Sequence, residues 1–123
     1  MEMTELHYMV LNSYQIYDVI RTAAVARLAV TDGERPYVTP MHFQWELDGQ
    51  TSIFYFACCA HGRRFDCLTE HSHAMIEIER RTADGVEVVL AEGTAAMLFS
   101  PEDDAAIVQV TAERITGRRY FIG

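Results

Sequence analysis

The residues best suited to chemistry lie in one short stretch, residues 59–68, which reads Cys-Ala-His-Gly-Arg-Arg-Phe-Asp-Cys-Leu. Gly62 permits a ligand to approach the backbone closely. Arg63 and Arg64 follow it at the start of a predicted short helix, where the helix dipole already favours anions. Two cations at that place reduce stability unless an anion normally binds between them. The stretch alone leaves two interpretations open: an anion-binding turn, or two surface arginines with acidic neighbours.

A second group of residues looks superficially like a set of metal ligands. It consists of cysteines and histidines from one region: Cys58, Cys59, His61, Cys67, His71 and His73. Their spacing matches no standard zinc pattern. Neighbouring side chains on a strand point to opposite faces, so Cys58 and Cys59 cannot readily bind one ion. We therefore predict no metal site.

His42 is the candidate for proton transfer. It lies on a predicted strand, with Met41 and Phe43 facing the other side. A histidine titrates near neutral pH, so one that faced a bound ligand could donate a hydrogen bond or a proton. The alternative is an ordinary, partly buried histidine, and the residue type alone does not decide between the two.

The composition restricts the partners. The chain has 123 residues, the size of one ordinary domain, and a formal net charge of −8. A surface this acidic argues against nucleic-acid binding and against binding to anionic membranes. All ten basic residues are arginines, which suit phosphate and carboxylate ligands, although codon bias in a GC-rich genome has the same result. We predict a single domain, residues 1–123.

The cysteines and the first ten residues bear on the cellular compartment in which the protein is expected. Cys58 and Cys59 are adjacent and make a poor disulfide pair, and Cys67 makes the number odd. Free thiols are typical of a reducing compartment. A signal peptide has a basic segment followed by an apolar run, and residues 1–10 lack this pattern. No apolar stretch approaches the roughly 18 residues of a membrane span, so the expected location is the cytoplasm.

The first half of the chain predicts a helix and three strands. Asn12 or Ser13 can cap a helix that runs to about residue 24. The strands lie at residues 25–31, 36–47 and 53–58. Asp-Gly pairs at 32–33 and 48–49 separate them, and such pairs favour hairpin turns because type I′ turns need positive φ. We predict that the three strands form an antiparallel meander.

The second half predicts a short helix, two strands and a last helix. Their approximate bounds are 62–70, 74–79, 86–99 and 100–115. Gly93 inside the second of these strands indicates a bulge or a bend. Ser100 as N-cap, followed by Pro101 and two acids, predicts the start of the last helix. Residues 118–121 could reach across a dimer to a phosphate, but a solvated tail is the expectation.

Five or six antiparallel strands of this length fit a small closed or half-closed barrel, because closure removes exposed sheet edges. Two blocks of sequence then resemble one family. Residues 26–43 read Ala-Arg-Leu-Ala-Val-Thr-Asp-Gly-Glu-Arg-Pro-Tyr-Val-Thr-Pro-Met-His-Phe, and residues 59–68 follow at the matching spacing. Together they resemble the FMN-binding split barrels related to pyridoxamine-phosphate oxidase, in particular the nitroimidazole-reductase-like branch. The resemblance covers roughly residues 14–100.

The resemblance implies a fold and a site. The fold would be mainly β with flanking helices, an antiparallel split barrel. Arg63 and Arg64 would bind the FMN phosphate, with Arg64 where the family usually has lysine. The other implied site residues are Thr39, Pro40, Met41 and His42 along the isoalloxazine, Tyr55, Ala57 and Cys58 along the ribityl chain, His61 and Gly62 in the turn, and Leu68 as the helix anchor. FMN lies between two subunits in this family, so a homodimer would complete the site.

Two positions depart from the family pattern. Ala57 stands where many members of the branch have a histidine linked to reductase chemistry, and His61 stands where a glutamate is frequent. We predict an FMN-binding oxidoreductase that passes electrons or hydride to a small molecule, with His42 as the candidate catalytic residue. The alternatives are a non-enzymatic flavin or haem carrier, since split barrels also hold haem and deazaflavin, and a structural barrel without a ligand.

Overall fold

A computed structural model describes residues 7–100 and 104–121 of the chain. Within these residues, eight strands and two helices follow one another: β1 (His7–Val10), α1 (Ser13–Thr22), β2 (Val25–Thr31), β3 (Pro36–His42), β4 (Gln44–Asp48), β5 (Thr51–Cys59), α2 (Arg63–Glu70), β6 (His73–Thr82), β7 (Gly85–Ser100) and β8 (Ala105–Phe121). Of the helices in this part of the chain, neither has the length and apolar character needed to cross a membrane.

The strands form one antiparallel sheet that curls around a single core. Its order is β3-β2-β6-β7-β8-β5-β4, with β1 added to β8. β3 and β4 are consecutive in the chain but lie at opposite ends of this order, so the two ends of the sheet are brought together, and β3 also contacts β5. The barrel is therefore split between β3 and β5. This confirms the predicted split β-barrel class.

The inner face of the barrel is apolar because side chains alternate between the two faces of each strand. Its most deeply buried members include Leu28, Phe54, Phe56, Ile76, Ile78, Val89, Val108 and Val110. α1 packs on β6, β7 and β8 and buries Ile16, Val19 and Ile20. Asn12 caps this helix, as predicted, in a reciprocal pair of hydrogen bonds with Gln15.

The predicted strand 36–47 is in fact two strands that meet at Phe43. The Phe43 ring packs on the core, with its centroid 6.1 Å from that of Phe54 and 6.5 Å from that of Phe56. The part before Phe43 pairs with β2, and the part after it pairs with β5. The Asp-Gly pairs do lie at hairpins, but the predicted meander is wrong because the two hairpins lie at opposite ends of the sheet.

Gly93 marks a bulge, as predicted. The register between β7 and β8 shifts between Glu92 and Gly93, and Glu113 of β8 is the extra residue. A side chain at position 93 would place its Cβ 1.9 Å from the carbonyl oxygen of Thr111. Only glycine allows the two strands to approach this closely.

The predicted C-terminal helix is wrong, because residues 105–121 form β8, a central strand. Ala106, Val108 and Val110 are buried, and this period of two is typical of a strand. β8 pairs with β7 on one side and with β5 on the other. These pairings outweigh the local preference for a helix. Residues 101–103, which belong to the predicted helix start, lie outside the described residues.

The tail that was expected in solvent is also part of β8. Residues 118–121 pair with β1, a strand that the sequence pattern did not predict, and with β7. The Arg118 guanidinium lies 4.4 Å from the centroid of the Tyr8 ring, and such a cation–π contact stabilises the pairing.

A buried ionic group joins β6, β7 and β8. Glu87 is only 2% exposed, and its carboxylate accepts hydrogen bonds from Arg80 at 2.8 and 3.0 Å and from Arg119 at 2.8 and 3.2 Å. Arg80 also donates to Asp18 of α1 at 2.8 Å. Burial alone would raise the pKa of Glu87, but the hydrogen bonds from Arg119 and Arg80 outweigh it and hold the pKa below its ordinary value of 4.5.

We expect Glu87→Gln to lower the free energy of unfolding at pH 7 by about 3 kcal/mol, because it removes the anion of Arg119 and leaves Arg80 with Asp18 alone. Since the pKa of Glu87 is lowered by folding, its contribution is present above pH 4.5 and is lost as the pH falls towards the folded-state pKa. Urea unfolding at several pH values measures both effects.

The matched control is Glu92→Gln, on the outer face of the same strand, where the carboxylate lies 4.0 Å from the exposed Arg114. This change should alter stability by less than about 1 kcal/mol. Equal losses in the two variants would contradict the role given to the buried group.

Candidate functional site

α2 begins at a backbone turn that only glycine adopts readily. Gly62 has φ 101° and ψ 177°, in a region that is strained for residues with a Cβ. Its carbonyl accepts the first hydrogen bond of α2, from the Asp66 N–H at 2.9 Å. Cys67 and Leu68 are buried, each about 3% exposed. This burial fixes α2 on the barrel and so determines where Arg63 and Arg64 lie.

The turn and the start of α2 border a cavity of about 250 Å³, which we call the arginine cleft. It lies where β3 and β5 face each other across the split of the barrel. Its lining consists of Tyr37 from β3, Cys58 and Cys59 from β5, and His61, Gly62, Arg63, Arg64 and Phe65 from the turn and α2. The fold thus brings together five of the predicted cofactor residues: Cys58, His61, Gly62, Arg63 and Arg64.

Arg64 carries a buried donor without an acceptor. Its Nε is out of contact with solvent and has no hydrogen-bond partner among the described residues. A buried donor of this kind normally has a partner, since leaving it unpaired costs about 1–3 kcal/mol. Burial raises the pKa of the nearby Cys58 thiol, and the charge of Arg64 partly opposes this effect. The Arg64 side chain is half-buried, so a ligand in the cleft would contact the terminal nitrogens of its guanidinium and not Nε.

Arg63 is held more loosely, between two groups of the β2–β3 hairpin. Its guanidinium carbon lies 5.3 Å from the centroid of the Tyr37 ring, and Nη2 lies 3.7 Å from a carboxylate oxygen of Asp32. The backbone N–H groups of Arg35 and Glu34, together with the charge of Arg63, lower the pKa of Asp32. Asp32 therefore stays ionised beside Arg63.

His61 faces a different acid. Its Nδ1 lies 3.0 Å from a carboxylate oxygen of Asp104, and both side chains are exposed. The Asp104 backbone carbonyl also accepts a hydrogen bond from the Ala60 N–H at 3.2 Å. This contact fixes the turn against the start of β8.

The predicted ring-binding residues lie along β3, which is the terminal strand of the sheet. Thr39 and Met41 are half-buried, whereas Pro40 and His42 are exposed. His42 is five residues from Tyr37, a separation of about 17 Å along a strand. His42 therefore cannot contact the same group as Arg63 and Arg64, and it could only contact the far end of an extended ligand.

The ring of His42 is oriented by the backbone. Its Nδ1 lies 3.2 Å from the carbonyl oxygen of Ala24. Because a carbonyl oxygen can only accept, this contact assigns the hydrogen to Nδ1. Nε2 remains for a ligand, as an acceptor in the neutral ring and as a donor in the charged ring.

Tyr55 and Ala57 do not line the cleft. They lie on the face of β5 opposite to Phe54, Phe56 and Cys58, which point inwards. The Tyr55 hydroxyl donates a hydrogen bond to Glu46 of β4 at 2.6 Å, and this bond raises the pKa of Tyr55. Of the three residues predicted to flank the ribityl chain, only Cys58 borders the cavity. No cluster of three or more potential metal ligands occurs in the described ranges.

A family model described as pyridoxamine 5′-phosphate oxidase matches residues 12–121. The chain belongs to this family. The match spans nearly the whole chain and both of the sequence blocks quoted above, and it confirms the family resemblance. No curated protein matches the sequence.

Solved structures share the fold. A protein of Bacteroides thetaiotaomicron, provisionally assigned to 5-nitroimidazole antibiotic resistance, has a TM-score of 0.81 at 16% identity, over 95% of this chain and 90% of that one. An FAD-binding protein from Mesorhizobium loti has a TM-score of 0.79 at 14% identity, over 91% and 97%. The FAD-binding protein of Mycobacterium smegmatis has a TM-score of 0.66 at 20% identity, over 92% and 98%.

Within this family fold, sequence reasoning missed the residues that reach the cleft from other elements. Tyr37 packs on the core and also lies under the Arg63 guanidinium. Asp32, predicted only as a turn residue, does not line the cleft but lies beside Arg63 at its border. The hairpin itself was the available signal. Pairing of Thr31 with Pro36 places their chain neighbours, Asp32 and Tyr37, at the same end of the β2–β3 pair.

Proposed function

We propose that this protein binds FMN, with the phosphate in the arginine cleft, and transfers electrons or hydride between the flavin and a small molecule. The observation that carries the proposal is the pair of adjacent guanidinium groups, Arg63 and Arg64, which line the arginine cleft, whose lining among the described residues contains no carboxylate. A phosphate in the cleft would accept hydrogen bonds from their solvent-accessible nitrogens. Among the structural neighbours, two are described as FAD-binding proteins, and this supports a flavin as the ligand.

The size of the cleft supports a site that is completed by a second subunit. Its volume of about 250 Å³ is below the range of roughly 300–1,000 Å³ that is usual for pockets that enclose a ligand of this size. A phosphate group fits in the cleft, while an attached ring system would extend along the split towards Thr39 and His42 and would remain uncovered on one side. A partner subunit of a homodimer would cover it.

The residues of the chain would have separate tasks in the reaction. Arg63 and Arg64 bind the phosphate and so fix the position of the flavin, which supplies the redox chemistry when bound. Met41 and Cys58 pack against the core and provide an apolar wall that excludes water. His42, oriented by the Ala24 carbonyl, lies on the other face of β3 from Met41. Because β3 is a terminal strand, His42 would reach the flavin ring around that edge and hold or deliver a proton through Nε2. The three cysteines are free, which supports our placement of the protein in the cytoplasm.

We expect the wild-type protein to bind FMN, and Arg64→Ala to weaken binding by about 1.5–3 kcal/mol, the contribution of a hydrogen bond to a charged group. The affinity of Arg64→Lys for FMN should lie between those of the wild type and Arg64→Ala, since lysine keeps the charge but cannot reproduce the planar donor set. Titration of apoprotein, followed by quenching of flavin fluorescence, measures these affinities.

The control is Arg21→Ala, because Arg21 is an exposed residue of α1. It should leave the affinity for FMN unchanged. Wild-type protein that fails to bind FMN, or an Arg64→Ala variant that binds as tightly as the control, would refute the site assignment.

The catalytic part of the proposal predicts that NADPH or NADH reduces the bound flavin under anaerobic conditions. His42→Ala should slow turnover with an acceptor by about 10²-fold, the usual effect of losing a general acid or base. Its affinity for FMN should change little. Stopped-flow loss of flavin absorbance measures the rate.

His73→Ala is the matched control, since His73 is an exposed histidine at the start of β6. If the two variants reacted at the same rate, His42 would have no part in proton transfer. A flavin that no nicotinamide reduces would favour the carrier function over the oxidoreductase.

We propose that the homodimer forms through the outer face of the barrel. Leu98 of β7 and Ile107 of β8 are paired neighbours, 52% and 40% exposed, and Ala57 of β5 lies beside them. We expect Ile107→Asp to shift the protein from dimer to monomer in light scattering and to weaken FMN binding at the same time. Leu47→Asp, at an equally exposed position of the terminal strand β4, should do neither. A monomeric wild-type protein would contradict the proposed subunit arrangement.

A further inference from the structure

A second cavity lies on the outer face of the barrel, over the middle strands of the sheet. Its volume is about 320 Å³, and its lining comes from β6, β7 and β8. β7 is the central strand in the order β3-β2-β6-β7-β8-β5-β4, so in the curled sheet this face is turned away from the split between β3 and β5. This outer cavity shares no lining residue with the arginine cleft and is separate from it.

Part of the lining of the outer cavity is apolar. It consists of Val88 and Leu90 of β7 and Met75 of β6, of which Leu90 and Met75 are 40% and 39% exposed. Apolar side chains that are exposed together in a concave surface, with charged groups at its border, are typical of an interaction site. The volume lies at the lower end of the range of roughly 300–1,000 Å³ that is usual for pockets of small molecules.

Arg118 of β8 places a positive charge at one end of this apolar surface. It is in register with Val88. Its guanidinium carbon lies 4.4 Å from the centroid of the Tyr8 ring, and its Nη1 donates a hydrogen bond to the Tyr120 hydroxyl at 3.5 Å. No carboxylate of the described residues forms an ion pair with Arg118. A guanidinium that lies against an aromatic ring keeps its in-plane N–H groups available, and these can bind a carboxylate through two parallel hydrogen bonds.

The acidic groups of the same face are paired with other arginines. Glu79 of β6 lies 3.5 Å from Arg27. Glu92 lies 4.0 Å from Arg114, beside the bulge at the other end of the cavity, about 13 Å along β8 from Arg118. The charges of the outer cavity are therefore asymmetric, and an anion is favoured at the Arg118 end and disfavoured at the Glu92 end.

We infer that the outer cavity binds a small aromatic carboxylate, with the carboxylate on Arg118 and the ring against Leu90 and Met75. An aromatic ring has favourable contacts with a methionine sulfur, and its binding removes the exposed apolar surface of both residues from water. The inference goes beyond the proposed flavin chemistry, which does not use this face. The proposed subunit contact at Leu98 lies about 26 Å from Leu90 along β7.

The test is a titration of the full chain with 2-naphthoate, followed through the backbone amide signals by NMR. We expect saturable shifts at residues 88–90 and 116–118, with a dissociation constant on the order of 1 mM or tighter. 2-Naphthamide has the same ring without the charge. It should bind at least about tenfold more weakly, because it cannot form a charge-assisted pair with Arg118.

Thr116→Glu tests the site without removing any contact of Arg118. Thr116 is exposed and lines the cavity, and it lies two residues from Arg118 on the same face of β8. The new carboxylate would pair with Arg118 and repel the ligand, so we expect the affinity for 2-naphthoate to fall at least about tenfold. Arg118→Ala should have a similar effect, although it also removes the contact with Tyr8.

The matched control is Thr111→Glu, the same change at an exposed position of β8 on the far side of the bulge. It lies about 17 Å along the strand from Thr116, beyond the range of unscreened charge interactions at 0.1 M salt, so the affinity should stay within about twofold. Circular dichroism verifies that both variants are folded.

Several results would overturn the inference. They are the lack of saturable shifts at the outer cavity, equal affinities for 2-naphthoate and 2-naphthamide, and equal losses in Thr116→Glu and Thr111→Glu. Shifts confined to residues 61–65 would place the carboxylate in the arginine cleft and would also contradict it. If Thr116→Glu instead dissociated the protein in light scattering and no ligand shifts occurred, the face would be a contact between copies of the chain, and the inference would be wrong.

Discussion

The burial of one side of α2 is the constraint on which the candidate site depends. Cys67 and Leu68 are inserted into the core, and an eight-residue helix has little freedom once two of its residues are fixed. The positive φ of Gly62 then turns the chain, so that Arg63 and Arg64 must lie against the split between β3 and β5. The arginines are therefore positioned by apolar contacts one turn further along the helix, and only weakly by contacts of their own.

Much of the fold could be predicted from the sequence because most of its signals are local. Alternation of apolar and polar residues at 25–31 predicts β2, the Asn12 cap predicts the start of α1, and Gly93 predicts the bulge. The C-terminal segment was misread for the same reason, since the helix-start signal at Ser100 and Pro101 is local too. Strand pairing on both sides of β8 is a contact between distant parts of the chain, and a single sequence contains no direct sign of it.

The site divides in the same way. Gly62, Arg63 and Arg64 are adjacent in the sequence, and their chemistry could be inferred together. Tyr37 reaches the cleft, and Asp32 reaches Arg63 at its border, only because the β2–β3 hairpin folds over α2, so their parts in the site required the structure. The placement of Tyr55 and Ala57 is a different case. The buried neighbours Phe54 and Phe56 already indicated by alternation that these two residues face away from the core.

The arginines of the protein illustrate why an unpaired one is informative. Arg80 and Arg119 converge on the buried Glu87, where four hydrogen bonds satisfy the guanidinium groups within the chain itself. Arg27 lies beside Glu77 and Glu79. A chain with 18 acidic residues and ten arginines has carboxylates to spare, yet none of those in the described residues accepts a bond from the buried Arg64 Nε. The neighbouring acids instead lie on the flanks of the cleft, beside Arg63 and His61. A cation kept apart from its own chain's anions beside a cleft is the arrangement expected where a ligand supplies the anion.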